Sequence, residues 1–189
     1  MTDGDLLGQA RDVNFTFKAA LAEVQMQVLD GEWKVTYYGG SPKMCGDSGY
    51  SFAFQRATLP HWKLNEPTGD AADRIAAWLD ENGWENITTQ GYSGDIADIV
   101  IQAEKPDAYV DRLMIDISPD PDTYDIATIT AETACFTTDV DRLDALLEPG
   151  AAEDSEDLER VPSTEHPTAK PSFGYTPDGK RRFWDTDGE

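Results

Sequence analysis

The first segment of the chain has a hydrophobic pattern of helical period. Between residues 3 and 30 apolar side chains recur every three or four positions, at Leu6, Ala10, Val13, Phe17, Ala20, Leu21, Val24 and Val28. Residues at this spacing share one face of an α-helix, so the pattern predicts a long amphipathic helix whose apolar face packs on a core. Lys18 falls among the polar positions, and Gly31 is placed to end the helix in the left-handed conformation.

The hydrophobic period then changes to two, first from residue 32 and again from residue 50. One side of these two stretches carries the aromatic and branched residues Trp33, Val35, Tyr37, Tyr50, Phe52 and Phe54. Alternation of this kind predicts β-strands with one apolar face, and it places Tyr38 on the side opposite Tyr37. The two strands are expected to pair antiparallel, with Cys45 in the loop between them.

A second helical pattern covers residues 70–82, and its inward positions are Ala72, Ile75, Ala76 and Leu79. Gly83 stands where a left-handed residue would end this helix. Trp84 follows at the position from which an apolar side chain can fold back over Leu79. We interpret Gly83 and Trp84 as a structural cap and not as part of a ligand site.

Four further strands are predicted, over residues 87–92, 96–104, 109–117 and 125–136, with a turn at 93–95. In the last of these strands Cys135 shares one face with Ala127, Ile129, Ala131 and Thr133. Cys135 is therefore expected to point into the core. A short helix over residues 139–147 follows, and Thr138 is its predicted cap.

These elements predict an α+β domain over residues 1–149. In this domain a mostly antiparallel β-sheet of five to six strands packs two helices on one face, and one short C-terminal helix follows. Residues 150–189 are a tail by composition, because an acidic block at 153–157 and four prolines replace most aliphatic residues. We expect this tail to be extended or docked on the domain. Its aromatic residues are candidates for docking on a partner or on the domain itself: Phe173, Tyr175, Phe183 and Trp184.

The charge of the chain is strongly negative. The sequence has 15 basic and 37 acidic residues, a formal net charge of −22. Such a field repels phosphate backbones and anionic lipids, so no nucleic-acid partner is expected. A solvated, highly soluble surface explains the charge, and imitation of nucleic acid toward a basic partner is the alternative. No stretch approaches the ~18–20 consecutive apolar residues of a membrane span, so no direct membrane insertion is expected.

The sequence offers few residues for chemistry. His61 is the one histidine within residues 1–149, no Gly-x-Ser-x-Gly motif occurs, and neither cysteine has a basic neighbourhood, so no catalytic residue is predicted. The glycine-rich stretches lack the lysine and helix of a phosphate loop, and no cofactor is expected. No metal site is expected either. Asp120, Asp122 and Asp125 bring three carboxylates together without the glycine and glutamate of a calcium loop, which favours an acidic turn.

The layout around the two cysteines resembles a known family. The chain begins with a long amphipathic helix and an aromatic strand, followed by Cys45, a β-like run and a helix that ends in Gly83-Trp84. Three strands and the segment from Thr133 to Phe136 come next, before a short helix and a proline-rich tail. This order is similar to that of the LppA-like lipoproteins of actinobacteria over about residues 3–149. The resemblance implies a small envelope-anchored domain without defined catalytic residues. The family's lipid-attachment cysteine and signal segment are not in this sequence, so anchoring is implied only for a longer form.

Cys45 and Cys135 are the two cysteines of the chain. A bridge between them would join the first predicted hairpin to the last predicted strand. We predict this disulfide, and with it an oxidising compartment.

The functional interpretation is a non-enzymatic extracytoplasmic binding or interaction protein of the cell envelope with a protein partner. The alternative is a cytoplasmic acidic inhibitor that mimics nucleic acid. A third interpretation, an enzyme of unknown type, would need a pocket with convergent polar groups around His61 or the acidic turn at Asp120.

Overall fold

A computed structural model describes residues 1–92, 98–148 and 158–184. The helices in these ranges are α1 (Asp3–Val28), α2 (Thr68–Glu81) and α3 (Val140–Leu147). The strands are β1 (Trp33–Tyr37), β2 (Lys43–Cys45), β3 (Gly49–Ser51), β4 (Ala53–Thr58), β5 (Glu85–Gly91), β6 (Ile99–Lys105), β7 (Val110–Ser118), β8 (Ile126–Thr133) and β9 (Thr164–Glu165). The turn predicted at 93–95 and the acidic block at 153–157 lie outside the described residues.

The main sheet contains seven strands in the order β5-β6-β7-β8-β4-β1-β9, and β2 with β3 forms a separate hairpin. Every neighbouring pair in the main sheet is antiparallel. The α+β class and the antiparallel sheet are therefore confirmed, whereas the prediction of five to six strands was too low. Six strands correspond to the predicted ones, and the seventh, β9, comes from the tail and pairs with the edge of β1.

One face of the sheet is buried beneath the helices. Its fully buried side chains include Ile101, Leu113, Ile115, Ile117 and Ile129, which join the apolar faces of all three helices in one core. Each such aliphatic side chain stabilises the fold by about 1.5–3 kcal/mol relative to an exposed position. Among the described residues, no helix combines the length and the apolar character that a membrane crossing requires.

The first helix differs from its prediction at its end and on its polar side. It ends at Val28, and Leu29 caps it in an extended conformation with its N–H donating to the Gln25 carbonyl, 2.8 Å away. Gly31 is not in the left-handed region, so its predicted role was wrong. Lys18 does not lie on a solvated face either, because the tail covers this side of α1 and buries the lysine.

An irregularity in β1 reverses the predicted sides of two tyrosines. The pairing of β1 with β4 shifts register between Val35 and Tyr37. A bulge of this kind inserts one residue and turns the following side chains to the other face. Tyr37 is consequently exposed, and Tyr38 is buried.

The predicted cap of α2 is present. Gly83 has a φ of 76°, in the left-handed region. The Trp84 N–H donates to the Leu79 carbonyl at 3.0 Å, and the Trp84 side chain is buried. The cap of α3 differs from the prediction: Asp139, not Thr138, accepts the N–H of Arg142 at 3.2 Å.

The disulfide between Cys45 and Cys135 is confirmed. Cys45 ends strand β2 and is not in a loop. Cys135 is exposed and does not point into the core, because β8 ends at Thr133 and the chain then pairs with β3 through Tyr50 and Phe136. The bridge thus fastens the β2-β3 hairpin to the end of the main sheet.

A glycine in this hairpin makes room for the bridge. A Cβ atom on Gly49 would lie 2.8 Å from Cys135 Sγ and 2.6 Å from the Phe136 carbonyl oxygen. Such distances are shorter than real Cβ contacts, so any side chain at residue 49 would displace either the disulfide or the Phe136 backbone.

Candidate binding site between the first helix and the tail

The described part of the tail, residues 158–184, lies against the domain along α1 and the edge of β1. Phe173 is the residue that anchors it, with 1% of its surface exposed. Its ring meets those of Phe15 and Phe52 edge to face, with centroids 6.3 and 5.7 Å apart. Phe173 is therefore part of the core and is not available for docking on a partner.

The other tail aromatics are held to different degrees. The Tyr175 N–H donates to the Leu147 carbonyl at 2.7 Å, and Trp184 Nε1 donates to the Phe173 carbonyl at 2.9 Å. Both side chains are half-buried against the domain. Phe183 is the exposed member of the predicted set, with 45% of its surface accessible.

Where the tail meets the domain, three cationic side chains surround the ring of Tyr38. We call Lys18, Arg56 and Arg181 the cationic cluster. Lys18 Nζ lies 3.9 Å from the ring centroid, and the guanidinium carbons of Arg56 and Arg181 lie 5.5 and 5.1 Å from it. Attraction to the ring offsets part of the free energy of burying these charges, by about 0.5–2 kcal/mol for each contact.

Three separate elements bring the cluster together. Lys18 projects from the middle of α1, and Arg56 continues the inward face of β4 two residues after Phe54. Arg181 lies in the tail, opposite Tyr175 in an isolated bridge. The site therefore exists only when the tail is docked.

The cluster is tied to the backbone and to two carboxylates. Arg56 Nη1 donates to the carbonyls of Tyr37 at 2.6 Å and Gln55 at 3.2 Å, and its Nη2 pairs with Glu165 of β9 at 3.2 Å. These bonds fix the guanidinium in place. Glu165 and Glu159, the second of which accepts the Arg181 backbone N–H at 2.9 Å, bring two negative charges to the three positive ones.

The remaining bonds of the cluster connect it to the tail and to Tyr38. Lys18 Nζ donates to the Ser172 carbonyl at 3.4 Å. Arg181 donates to the Ser172 hydroxyl at 3.0 Å and to the Tyr38 hydroxyl at 2.9 Å. The lysine therefore has one long hydrogen bond, whereas the arginine is held at two points.

The surroundings of Lys18 disfavour its charged form. Burial lowers the pKa of its amine well below the usual lysine value, and the nearby Arg56 and Arg181 lower it further, while Glu165 acts in the opposite direction. Burial also lowers the pKa of Arg56, against the effect of Glu165. A guanidinium nevertheless stays protonated in proteins, so Lys18 is the member of the cluster that can change its charge.

A cavity of about 270 Å³ opens beside Lys18 and Arg56, and we call it the tail cavity. Phe15 and Phe54 line it from the domain, and His166 and Pro167 line it from the tail. A mainly apolar pocket with a few convergent polar groups is the usual form of a small-molecule site. A second cavity of similar volume is lined by Tyr38, Ser172 and Tyr175.

Replacing Lys18 by methionine is expected to remove a pH dependence of stability. The pKa of Lys18 is lower in the folded chain than in the unfolded one, so the unfolded chain binds more protons between the two values. Lys18 therefore makes the free energy of unfolding rise with pH, from its folded pKa up to the ordinary lysine range near pH ~10. At neutral pH the variant should be as stable as the wild type or more stable, by up to about 4 kcal/mol.

Urea unfolding between about pH 7 and pH 10 measures this effect. Lys34→Met is the matched control, because Lys34 is exposed on β1. Equal slopes of unfolding free energy against pH in the wild type and both variants would contradict the burial of an ionisable Lys18.

His61 and the acidic turn at Asp120, the candidates for chemistry in the sequence, lie elsewhere. His61 contacts Tyr124, with ring centroids 5.8 Å apart, and lines neither cavity beside the tail. Asp125 accepts the N–H groups of Leu64 at 2.8 Å and Asp120 at 2.9 Å, so it serves to order the turn. In the described part of the chain, no group of three or more His, Cys, Asp or Glu residues is arranged to hold a metal ion.

Comparison with known proteins gives one distant structural similarity. No protein-family model matches the sequence, and no curated protein matches it. Among solved structures, the chain is similar to a DUF4853 family protein from Actinomyces odontolyticus ATCC 17982, with a TM-score of 0.39 and 14% sequence identity. The match covers 68% of this chain and 66% of that one. The chain thus spans just under two thirds of the length of the protein it resembles.

Proposed function

We propose that this protein is a non-enzymatic extracytoplasmic binding protein of the cell envelope and that the tail cavity is its ligand site. The observation that carries the proposal is the presence of Lys18 and Arg56, 7% and 2% exposed, in the wall of a mainly apolar cavity. Replacing a buried charged residue by an apolar one often leaves the stability of a protein unchanged or raises it, so Lys18 and Arg56 are not explained by a contribution to stability. A ligand that pairs with them would offset that free energy.

The form of the site supports binding rather than catalysis. Arg56 and Arg181 are fixed by hydrogen bonds to carbonyl and hydroxyl oxygens, which suits groups that orient a bound molecule. Neither arginine exchanges protons at neutral pH. Lys18 can do so, but its N–H faces a carbonyl oxygen, not a side chain that could act as a nucleophile or base.

The disulfide supports the proposed location. Disulfides persist in oxidising compartments outside the cytoplasm. The resemblance to the LppA-like lipoproteins belongs to the same proposal, since that family is anchored at the envelope. Fractionation of cells that express the tagged full-length gene tests the location, and recovery in the cytoplasm with free thiols would contradict it.

A thermal-shift screen tests the ligand site. Fragments of about 8–14 heavy atoms suit a cavity of this volume. A fragment present at about 100 times its Kd stabilises the fold by about 2.7 kcal/mol, which raises the Tm of a chain of this size by roughly 5–10 °C. We expect some fragments to do so with the wild type.

Ala22→Leu is the control, because Ala22 lines the tail cavity and a larger side chain there fills it without changing a charge. The same fragments should leave its Tm unchanged. If every active fragment shifts the wild type and Ala22→Leu equally, or if none is active, the tail cavity is not a ligand site.

A further inference from the structure

We infer that the tail cavity binds a small monocarboxylate with an apolar body, whose carboxylate lies between Lys18 and Arg56. This inference rests on the proposed function and names the chemical class of its ligand. It depends on the charge balance, the hydrogen-bond donors and the shape of the cavity.

The charge balance calls for an anion. Lys18, Arg56 and Arg181 gather around one tyrosine ring, and the ion pair with Glu165 supplies one negative charge. When Lys18 is protonated, Lys18, Arg56 and Glu165 carry a net charge of +1, while Arg181 has the Glu159 carboxylate beside it, which accepts the Arg181 backbone N–H at 2.9 Å. Opposite charges within a few ångströms stabilise a buried ion, so one further anionic group makes the protonated cluster favourable. A neutral or cationic ligand would not.

The hydrogen-bond donors suit two acceptor oxygens. A guanidinium has five N–H donors. Among the bonds of the described residues, Arg56 uses both donors of Nη1 and one of Nη2, which leaves two. The Lys18 ammonium, with its long bond to Ser172, adds its other N–H groups. A carboxylate, with two oxygens in one plane, matches this small set, whereas a phosphate presents three oxygens and a larger charge.

The walls of the cavity favour an apolar body. Phe15 and Phe54 lie on the domain side, and Pro167 and Pro171 lie on the tail side. An apolar cavity of 150 Å³ holds a benzene ring, so a cavity of about 270 Å³ accommodates a ring with a short side chain. The ligand class is thus an aryl-alkyl or short alkyl carboxylate.

Binding of such a carboxylate is coupled to proton uptake. The charged and titratable groups that face Lys18 are Arg56 from β4, Glu165 from β9, and Arg181 and Tyr38 around the shared ring. His166 of the tail lines the same cavity, and its effect is common to the wild type and the Lys18→Met variant. A bound carboxylate adds a negative charge next to the amine and raises the pKa of Lys18 toward its usual value. Between the pKa values of the free and bound states, affinity should fall about tenfold for each pH unit, because each complex takes up one proton.

Isothermal titration calorimetry with four probes of similar size tests the inference on the full chain. The probes are 3-phenylpropionate, its amide, 3-phenylpropylamine and phenyl phosphate. We expect 3-phenylpropionate to bind at least about tenfold more tightly than each of the others. Lys18→Met should weaken the affinity for 3-phenylpropionate by about tenfold or more, leave the affinity for the amide unchanged and abolish proton uptake. Lys34→Met should bind all four probes as the wild type does.

Each other outcome overturns the inference in a distinct way. Tighter binding of phenyl phosphate would replace the carboxylate by a phosphate ester and leave the proposed function intact. If the amide or the amine bound as tightly as 3-phenylpropionate, the negative charge of the ligand would have no role in binding. Binding of 3-phenylpropionate without proton uptake, or with equal affinity in Lys18→Met, would place the carboxylate away from Lys18. If none of the four probes binds, the ligand class is wrong, and the fragment screen with Ala22→Leu decides separately whether the cavity is a site.

Discussion

Replacement of both Cys45 and Cys135 by alanine is expected to lower the free energy of unfolding by about 4–5 kcal/mol. The disulfide joins residues 90 positions apart in the sequence. In the chain-entropy model, a bridge that closes a loop of this length removes about that much conformational free energy from the unfolded chain. Small domains have total stabilities of about 5–15 kcal/mol, so the loss is a large fraction of the whole.

Urea unfolding of the double variant measures this loss, and the wild type with and without reductant is the matched comparison. Cys135 is exposed, so a reductant reaches the bridge without prior unfolding. The reduced wild type and the double variant should have the same stability. A difference below about 1 kcal/mol between oxidised and reduced protein, or two free thiols in the native protein by mass spectrometry, would contradict the role given to the bridge.

The parts of the fold that the sequence predicts are those with local causes. Alternation along β7 and β8 gives the inward face directly, because each residue's side is set by its immediate neighbours. The cap at Gly83 and Trp84 is similarly local. The predicted inward direction of Cys135 was wrong because β8 ends at Thr133, so the alternation of the strand does not reach residue 135.

The cationic cluster could not be predicted in this way, because its members meet only through contacts distant in sequence. Lys18 contacts Ser172, which lies 154 positions later. A lysine between apolar positions of a helix is ordinarily read as solvent-exposed, and no local pattern indicates that a tail will cover it. Strand β9 has two residues and lies among prolines, so the hydrophobic period carries no signal for it.

One signal for the site was present in the sequence. Arg56 continues the inward alternation of Phe52 and Phe54, and in the structure β4 extends through Arg56 to Thr58. A charged residue on a predicted inward face requires a partner, since burying an unpaired charge is strongly unfavourable. In the structure that partner is Glu165, which reaches Arg56 because the tail is docked on the domain.

The charge distribution gives the cluster its specificity. The chain as a whole carries a formal charge of −22. An anion approaching through that field is repelled at long range, and the cationic cluster attracts it at short range. Low local dielectric strengthens interactions within this cavity relative to those at the surface. A small apolar carboxylate is therefore stabilised in the site both by burial of its apolar body and by pairing of its charge. A highly charged ligand such as a polyphosphate is stabilised only by the charge pairing, and the negative charge of the chain repels it more strongly.

Replacement of Phe173 by alanine is expected to lower the free energy of unfolding by about 3–4 kcal/mol. Truncation of a buried phenylalanine removes its hydrophobic contribution and leaves a cavity between Phe15 and Phe52. Since Phe173 anchors the tail over Lys18, the variant should also release the tail and lose the ligand site. Phe183→Ala is the matched control. Phe183 lies in the same tail with 45% of its surface exposed, so its truncation should change stability by no more than about 0.5 kcal/mol.

Urea unfolding and limited proteolysis of both variants measure these effects together. In Phe173→Ala, protease cleavage within residues 158–184 should become faster than global unfolding, because the tail has lost its anchor and opens locally. In Phe183→Ala the cleavage rate should stay at the wild-type value. Equal destabilisation by the two substitutions would mean that Phe173 does not reach the core. If the Phe173→Ala variant were destabilised but still bound the active fragments, the tail would contribute to stability and not to the ligand site. The site would then consist of residues from α1 and β4 alone.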